Sequence, residues 1–411
     1  RFLRQVEAFF KKNAIFAHAS TCFEAAKDSF FQNEASCSET NRRLKPFVEG
    51  DESSPFQQEV YVMQHYIRDV LGDFTRFEEN LSSLIRVTPG ATAQTRRVDS
   101  IPQLKMKMKL YSTSRAHSYL RSIYESFGFD GLRLRKTHSN RVELVPKNWK
   151  THRTIACEPE GNLPLQLAVD KYVKRRLRRF GLNLSDQSAN QRKAKHASIH
   201  NDYATVDLRA ASDTISFNTV NWLLPEEWFS YMSDIRSPGF RGVFGEGVYS
   251  KFSSMGNGYT FVLETLIFAA VCHAVGARDF LVYGDDVIIE KKFYPKFVAL
   301  AQFLGFAINA EKSFSEGPFR ESCGGDYYFG TDVTPVYIRG VDARKAFLCH
   351  LVNTLGSLTF PGSKLGVLLS SLIKEFKLPL VPWNQSTLSG VWIDVRKARD
   401  LGILRHRVVF K

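Results

Sequence analysis

Apolar residues recur with helical spacing in several segments of the chain. Between Pro164 and Gly181 they fall on one face, and proline opens the segment while glycine closes it. We predict a helix there, with one buried stripe and a cationic exposed face that favours contact with phosphates over plain solvated surface. The same spacing predicts helices over residues 259–271, 294–304 and 364–376, and the N-terminal part of the chain also favours helices.

Short apolar runs predict strands around two acidic positions. Residues 205–208 form a candidate strand with Asp207 at its end. The runs 280–282 and 287–289 flank Tyr283-Gly284-Asp285-Asp286, and this pattern predicts a β-hairpin whose turn carries the paired aspartates.

Other segments have less regular patterns. Residues 305–309 predict a strand, and residues 324–339 a further hairpin. The alternating lysines of residues 104–109 favour a strand with a basic face, either a solvated edge strand or an RNA contact. Residues 222–249, rich in Gly and Pro, predict an irregular connection, and residues 253–258 a flexible polar loop.

The order of these elements predicts the fold class. From residue 203 to residue 339 it is strand, helix, hairpin, helix, strand, hairpin. We therefore expect an α/β (α+β) protein with a mostly antiparallel sheet packed on helices. A chain of 411 residues is longer than one hydrophobic core usually supports, so two or three packed subdomains are expected.

Charge narrows the class of partner. Lys and Arg number 56 against 42 for Asp and Glu, which gives a net charge of +14 and favours a polyanion, with nucleic acid as the first candidate. No apolar window is long enough to span a bilayer and no secretory pattern opens the chain, so we expect an intracellular protein without a membrane partner. Six cysteines without a Cys-x-x-Cys pair suggest neither a zinc site nor a disulfide framework.

The adjacent carboxylates of Asp285 and Asp286 are the strongest chemical signal. Neighbouring carboxylates repel, and in a water-poor turn one of them has its pKa raised unless a cation lies between them and a further ligand. The sequence therefore indicates a divalent metal site. The alternative is a hairpin whose Gly-Asp turn is merely exposed.

Asp207 is the third carboxylate that we expect at this site, because adjacent strands of one sheet would bring it to the hairpin. Phosphoryl transfer to an RNA 3′-hydroxyl uses two cations about 3.5–4 Å apart. Oxygen ligands favour two Mg²⁺ ions, with Mn²⁺ as a substitute. Lys312 would supply a proton or positive charge to the departing pyrophosphate, as suits a lysine whose pKa falls near cations; otherwise it is a solvent-exposed lysine.

Further polar residues are candidates for nucleotide binding. Lys150 and Arg153, with Glu158 holding the arginine, would clamp the triphosphate, or else belong to an ordinary basic surface. Asp213 and Asn257 would hydrogen-bond the ribose 2′-hydroxyl, which distinguishes RNA from DNA. For Asp213 the alternative is an N-cap of the following helix.

Long motifs in a fixed order carry a family resemblance. They are Ala204–Leu208 with Ala210–Asp213, Ser253–Phe261, Tyr283–Asp286, and Ser315–Gly324 with Asp332–Pro335 and Tyr337–Arg339. Together they resemble the RNA-directed RNA polymerases of positive-strand RNA viruses, and in detail the replicase β subunits of the single-stranded RNA phages, the Qβ-like leviviruses.

The resemblance implies a right-handed fingers, palm and thumb fold. Residues 1–200 would form the N-terminal region and fingers, residues 201–342 the palm, and residues 343–411 a partial thumb. The catalytic region would be about 147–342, and the basic segment 147–192 would line the path by which nucleotides enter.

Site roles follow from the same resemblance. Asp207 and Asp285 would be the principal metal ligands, with Asp286 assisting. The residues that would contact the RNA template are Ser253, Gly256, Gly258 and Arg192.

Partners and location are also implied by the resemblance. It implies RNA template and product, ribonucleoside triphosphates, host elongation factors Tu and Ts, a ribosomal protein, and the cytoplasm of an infected bacterial host. The chain looks shorter than the family norm at its C-terminus, which indicates a fragment.

Two other functions fit some of these features. A reverse transcriptase shares the two-metal palm, although the polar Asp213 and Asn257 and the glycine of the hairpin turn argue against it. An RNA-binding protein without catalysis would keep the acidic turn for structure alone, and the presence of Asp207, Asp285 and Lys312 speaks against that reading.

Overall fold

The computed structural model describes residues 8, 18–102, 105, 109–126, 133–335, 344–356, 362–383 and 385–394. The chain divides into two compact units. The larger comprises Phe23–Val145 and His152–Thr334, and the smaller comprises the described residues of Arg1–Cys22, Pro146–Thr151 and Pro335–Lys411. The predicted mixture of helices and sheets is confirmed.

Helices cover much of the larger unit, whose first helix starts at its boundary with the smaller unit. In chain order they are α1 (Ala19–Glu49), α2 (Gln57–Leu71), α3 (Phe74–Leu84), α4 (Ser114–Ser126), α5 (Asn162–Arg179), α6 (Ser188–His200), α7 (Ala211–Thr214), α8 (Phe217–Leu223), α9 (Glu226–Ile235), α10 (Thr260–Ala274) and α11 (Tyr294–Phe303).

The strands described in the larger unit form four sheets. In chain order they are β1 (Leu110–Ser112), β2 (Leu134–Lys136), β3 (Ser139–Pro146), β4 (His152–Cys157), β5 (Tyr203–Arg209), β6 (Gly239–Gly242), β7 (Gly245–Val248), β8 (Phe280–Tyr283), β9 (Asp286–Glu290), β10 (Ala307–Ile308), β11 (Phe319–Ser322), β12 (Gly325–Tyr328) and β13 (Thr331–Asp332). The sheet orders are β1-β2, β4-β3-β6-β7, β10-β5-β9-β8 and β11-β12-β13.

The sheet β10-β5-β9-β8 is antiparallel throughout, and it confirms the strands and hairpin predicted around the aspartates. Helix α10 contacts both strand β8 and helix α2. It is buried along almost its whole length, which matches the apolar residues at nearly every turn of the predicted helix 259–271.

Helix α5 confirms the predicted amphipathic helix, with Leu165, Val169 and Val173 on its buried face. Part of its cationic face has a structural task. Arg176 donates from Nε to the Val70 carbonyl at 2.6 Å, so it binds the C-terminal turn of α2, where unpaired carbonyls and the negative end of the helix dipole attract cations.

The irregular connection predicted over residues 222–249 is wrong. This stretch contains helix α9 and the hairpin β6–β7. The glycines that suggested a loop serve close packing instead: a Cβ on Gly239 would lie 2.8 Å from the Gly247 carbonyl of the paired strand.

The basic strand predicted over residues 104–109 is also wrong where it is described. Lys105 is helical and buried, and its Nζ donates to the carbonyls of Thr88 and Gly90 at 2.9 and 2.6 Å. Its alternating partner Lys107 lies outside the described residues.

The predicted hairpin over residues 324–339 is confirmed as the antiparallel pair β12–β13, while Tyr337–Arg339 lie outside the described residues. Strand β11 joins the same sheet. Its Arg320 is fully buried and donates to the carbonyls of Tyr203 and Gly317 at 2.8 Å each. This guanidinium therefore ties the sheet to strand β5.

The smaller unit has its own apolar cluster, centred on Cys349, Val352 and Leu369. Its elements are α12 (Arg344–Gly356), α13 (Lys364–Glu375), and the parallel pair β14 (Leu380–Pro382) and β15 (Val391–Ile393). Helix α13 confirms the helix predicted over residues 364–376. Across the described part of the chain, no helix combines the length and apolar character needed to cross a membrane.

Candidate active site

Two of the predicted acidic residues are paired on neighbouring strands of the sheet β10-β5-β9-β8. Strands β5 and β9 pair so that Asp207 lies directly opposite Asp286, and the hairpin turn holds Gly284 and Asp285 beside them. The Cβ atoms of directly opposite residues in such a pair lie about 4.5–5.5 Å apart. The structure therefore brings together carboxylates that are distant in the sequence.

Gly284 makes this turn possible. Its φ is +63°, a conformation that favours glycine, and an added Cβ would lie 2.5 Å from Cε2 of Phe261. Its N–H donates to Thr265 Oγ1 at 3.0 Å. Helix α10, which carries Phe261 and Thr265, thus holds the turn from below.

Acidic neighbours raise the pKa of Asp285 and of Asp286. For Asp285 burial is the largest cause and Asp207 adds to it, while Lys312 and Arg153 act in the opposite direction. Burial and the neighbouring Asp285 and Asp207 raise the pKa of Asp286 to about 6, against a hydrogen bond from the Cys323 N–H that lowers it. Such mutual repulsion is what a bound cation would relieve.

Asp207 and Asp286 also accept hydrogen bonds from neighbouring residues. Asp207 Oδ2 accepts from Asn309 Nδ2 at 2.6 Å, and Asp286 Oδ1 accepts from the Cys323 N–H at 3.1 Å. Asp286 is thereby tied to the β11–β12 turn. Sequence reasoning missed both partners, although Asn309 and Cys323 lie in the segments already singled out.

Lys312 lies at this cluster, with its Nζ 3.7 Å from Asp207 Oδ1. Burial lowers its pKa, but Asp207, Glu321 and Asp286 outweigh burial and raise it. These neighbours are carboxylates, and the lowering of the Lys312 pKa that we predicted beside bound metal ions stays a prediction.

Arg153 projects from strand β4, is exposed, and lies near enough to lower the pKa of Asp285. The expectation that Glu158 holds it in place is wrong. Glu158 is buried and accepts from Asn140 Nδ2 at 2.9 Å and from Gln166 Nε2 at 3.0 Å. Lys150 belongs to the smaller unit, where its exposed Nζ lies over the Trp149 ring.

The loop 253–258 is clamped by its surroundings rather than free. The Ala156 N–H of strand β4 donates to the Met255 carbonyl at 2.8 Å, and Gly256, with φ +113°, lets the two backbones approach closely. The Gly258 N–H donates to Gln166 Oε1 at 2.9 Å. The predicted polar loop is confirmed, and these hydrogen bonds hold it at two points. Buried Ser253 has an Oγ without a hydrogen-bond partner in the described structure.

Asp213 lies on a short helix that contacts α10, and Asn257 lies just before α10 in the chain. Asp213 lies inside the short helix α7, so the N-cap alternative is wrong; Ser216 caps α8 instead, accepting from the Thr219 N–H. Asn257 is buried and its Oδ1 accepts from the Tyr259 N–H at 3.0 Å.

Glu264 is a site residue that sequence reasoning missed. It lies on α10, is 5% exposed, and its pKa is raised well above the ordinary value by burial first and then by Asp285 and Asp213. Its electrostatic interaction with both aspartates links Asp213 to the turn. The signal was present in the sequence, because Glu264 is the acidic residue of an otherwise apolar helix.

Arg192 is not brought to the loop by any contact among the described residues. It is exposed on α6, where its Nη1 donates to Ser188 Oγ at 2.6 Å. Helix α6 packs on strands β11 and β12.

The donor set suits a hard cation, since the convergent groups are carboxylate oxygens. Within the described ranges, no group of three or more His, Cys, Asp or Glu side chains is already arranged to hold a metal ion.

Comparison with known proteins finds relatives for most of the chain. The family model described as RNA replicase, beta-chain matches residues 2–358. The RNA-directed RNA polymerase subunit beta of Escherichia virus Qbeta is 40% identical over 339 residues, which cover 80% of this chain and 57% of that protein. The same subunit of Enterobacteria phage SP is 39% identical over 329 residues, covering 77% and 56%.

A shorter match adds a third relative. The RNA-directed RNA polymerase beta chain of Escherichia phage MS2 is 43% identical over 206 residues, covering 49% of this chain and 38% of that protein. Among solved structures, an in situ BmCPV RNA-dependent RNA polymerase at elongation state has a TM-score of 0.46 at 9% identity, covering 73% of this chain and 31% of that one. Likeness at that level does not define the fold by itself.

The chain spans little more than half the length of the Qbeta and SP relatives. The alignments with the Qbeta and SP proteins span 57% and 56% of those relatives' lengths. With the family model covering most of the sequence, the chain belongs to the RNA replicase beta-chain family.

Proposed function

We propose that this chain carries the catalytic region of a phage RNA-directed RNA polymerase, which copies an RNA template from ribonucleoside triphosphates. The observation that carries the proposal is the pairing of Asp207 with Asp286 beside the Gly284-Asp285 turn, where the neighbouring carboxylates raise the pKa of Asp285 and Asp286. Family membership supports it.

Mg²⁺ is the proposed cofactor, held by Asp207 and Asp285 with Asp286 assisting. The fit lies in the donor chemistry, because partly buried carboxylate oxygens that repel each other match a hard divalent cation. When bound, such ions supply Lewis-acid activation of the attacking hydroxyl and neutralise charge on the departing pyrophosphate.

The chain's own cations would act on the triphosphate. Arg153 would contact its phosphates, and its influence on Asp285 supports this role. Lys312, whose pKa is raised, is protonated at neutral pH and would give positive charge or a proton to the leaving pyrophosphate. Lys150 remains a proposed phosphate contact.

Ribose and template contacts are proposed for the polar edge of the site. Asp213 and Asn257 would bind the ribose 2′-hydroxyl. The template would lie on the clamped loop through Ser253, Gly256 and Gly258, and Arg192 would contact RNA from helix α6.

The wider assignments are proposed on the family resemblance. They comprise the right-handed fingers, palm and thumb, with boundaries at residues 200 and 342. They also comprise host elongation factors Tu and Ts, a ribosomal protein, and action in the cytoplasm of the infected bacterium.

The decisive experiment measures nucleotide incorporation by the purified chain with template RNA, ribonucleotides and Mg²⁺, with and without added host elongation factors. We expect Asp285→Asn to retain RNA binding and to lose incorporation by at least about a hundredfold, the size of effect seen when a charge-stabilising group is removed from an active site. Asp51→Asn, an exposed aspartate of the same unit, is the matched control and should incorporate normally. Full synthesis by Asp285→Asn would contradict the metal assignment.

A further inference from the structure

Lys251 is a buried cation that the proposed reaction does not use. It is 1% exposed and belongs to the largest fully buried side chains of the described structure. It lies just before the clamped loop, where its backbone forms an isolated β-bridge with Ser216. Because a buried charge is costly unless it is paired, its surroundings call for an explanation.

Two carboxylates surround the ammonium group. Lys251 Nζ lies 2.9 Å from Asp213 Oδ1 and 3.3 Å from Glu34 Oε1. The rings of Phe30 and Tyr249 lie 4.6 and 5.0 Å from Nζ. Burial lowers the pKa of Lys251, but Asp213 and Glu34 outweigh burial and raise it, so the lysine stays charged.

Glu34 is itself held in place. Its Oε2 accepts from the Ser250 N–H at 2.7 Å, next to Lys251 in the chain. The carboxylate on helix α1 is therefore a second, fixed anionic contact of the lysine. The three charged groups leave one net negative charge in the cluster.

The remaining oxygen of Asp213 is available as an acceptor. Lys251 occupies Oδ1, and in the described parts of the chain no donor reaches Oδ2. The side chain is 19% exposed, and Glu264 interacts electrostatically with both Asp213 and Asp285, so Asp213 lies near the catalytic turn. A carboxylate with one oxygen fixed and the other open is suited to accept from a hydroxyl in a set direction.

We propose that Lys251, anchored by Glu34, is a positioning residue that orients Asp213 to accept the 2′-hydroxyl of the incoming ribonucleotide, and so determines preference for ribose over deoxyribose. The inference rests on the proposed function and adds residues that lie outside the nucleotide contacts. Without the lysine, the Asp213 carboxylate can rotate, and the hydrogen bond that rewards ribose weakens.

The test compares ribonucleotide and 2′-deoxyribonucleotide incorporation opposite the same template base by the purified chain. For Lys251→Met we expect the ratio of the two kcat/KM values to fall about tenfold, which corresponds to one hydrogen bond of about 1.4 kcal/mol. The loss should appear as a higher KM for the ribonucleotide, while deoxyribonucleotide incorporation stays near its original rate.

A matched control separates positioning from stability. Lys105→Met also removes a buried lysine, but one that is bound to the carbonyls of Thr88 and Gly90. It should leave the ribose ratio unchanged even if it destabilises the protein. Combining Lys251→Met with Asp213→Asn should lower the ratio no further than Asp213→Asn alone, because both act on one hydrogen bond.

Glu34→Gln is the second variant if Lys251→Met does not fold. It conserves shape and removes the anchoring charge, so the lysine neutralises Asp213 more fully; we expect the ratio to fall about threefold. An unchanged ratio in the folded variants, or equal loss for both nucleotides, overturns the inference while leaving the proposed function intact. If the unaltered chain incorporates neither nucleotide, the proposed function fails and the inference fails with it.

Discussion

Gly284 allows a quantitative test of how the turn that carries Asp285 is built. Gly284→Ala would place a residue with a Cβ at φ +63°, which costs roughly 1–2 kcal/mol for a left-handed conformation. The new Cβ would also lie 2.5 Å from Phe261 Cε2. Relief of such an overlap in a packed site costs about 1–3 kcal/mol more. We therefore expect the free energy of unfolding to fall by about 2–5 kcal/mol.

Gly317→Ala isolates the backbone contribution. Gly317 has φ +70°, but an added Cβ would meet no heavy atom within 4 Å. We expect it to lose only the conformational part, about 1–2 kcal/mol. Urea unfolding followed by tryptophan fluorescence, in EDTA, would measure both variants.

A double mutant identifies the overlap. Leu at position 261 lacks the Cε atoms, so Gly284→Ala combined with Phe261→Leu should recover most of the excess loss in a double-mutant cycle. If Gly284→Ala costs no more than Gly317→Ala, or if the cycle gives no interaction energy, the packing of α10 under the turn has been misjudged.

Three more predictions concern the residues around the site. In EDTA, Asp286 should destabilise the fold as it ionises, because its pKa is raised from 3.8 to about 6. The stability that is present below pH 4 should be lost as the pH rises through 6, by on the order of 2–3 kcal/mol. Asp286→Asn should abolish that part of the pH dependence of urea unfolding. Gln166→Leu should cost about 1–3 kcal/mol and raise the KM for template RNA, because the Gly258 N–H loses its acceptor; exposed Gln302→Leu should do neither. Arg320→Met should lower the free energy of unfolding by about 3–5 kcal/mol, since it leaves buried carbonyls unpaired, and Arg320→Lys should not restore it; near-normal urea midpoints for both would contradict this.

Local patterns predicted the elements that carry the aspartates. The apolar runs on either side of Gly284 and Asp285 specify a hairpin by themselves, because strand period and turn chemistry are short-range properties. The apolar run of residues 205–208 predicted a strand with Asp207 at its end. That it faces Asp286 depends on strand pairing, and the sequence supported this only through the chemistry that the carboxylates share.

Long-range partners were beyond sequence reasoning. Glu158 lies close to Arg153 in the chain, yet it is buried with Asn140 and Gln166 while Arg153 is exposed, since closeness along the chain does not determine which face a side chain takes. Lys251 and Glu34 meet only because helix α1 packs beside the loop. Glycines misled the interpretation of residues 222–249, where they permit close strand pairing rather than a loop.

The hydrogen bond from the Ala156 N–H to the Met255 carbonyl makes a mechanical linkage between the two sides of the site. Strand β4 carries Arg153 and, through Ala156, also binds the loop. Gly256 packs so closely against Ala156 that there is no room for a Cβ between them. If the loop moves, either the hydrogen bond between Ala156 and Met255 breaks or strand β4 moves with the loop. Movement where template bases would rest is thereby transmitted to the arginine that would meet the triphosphate.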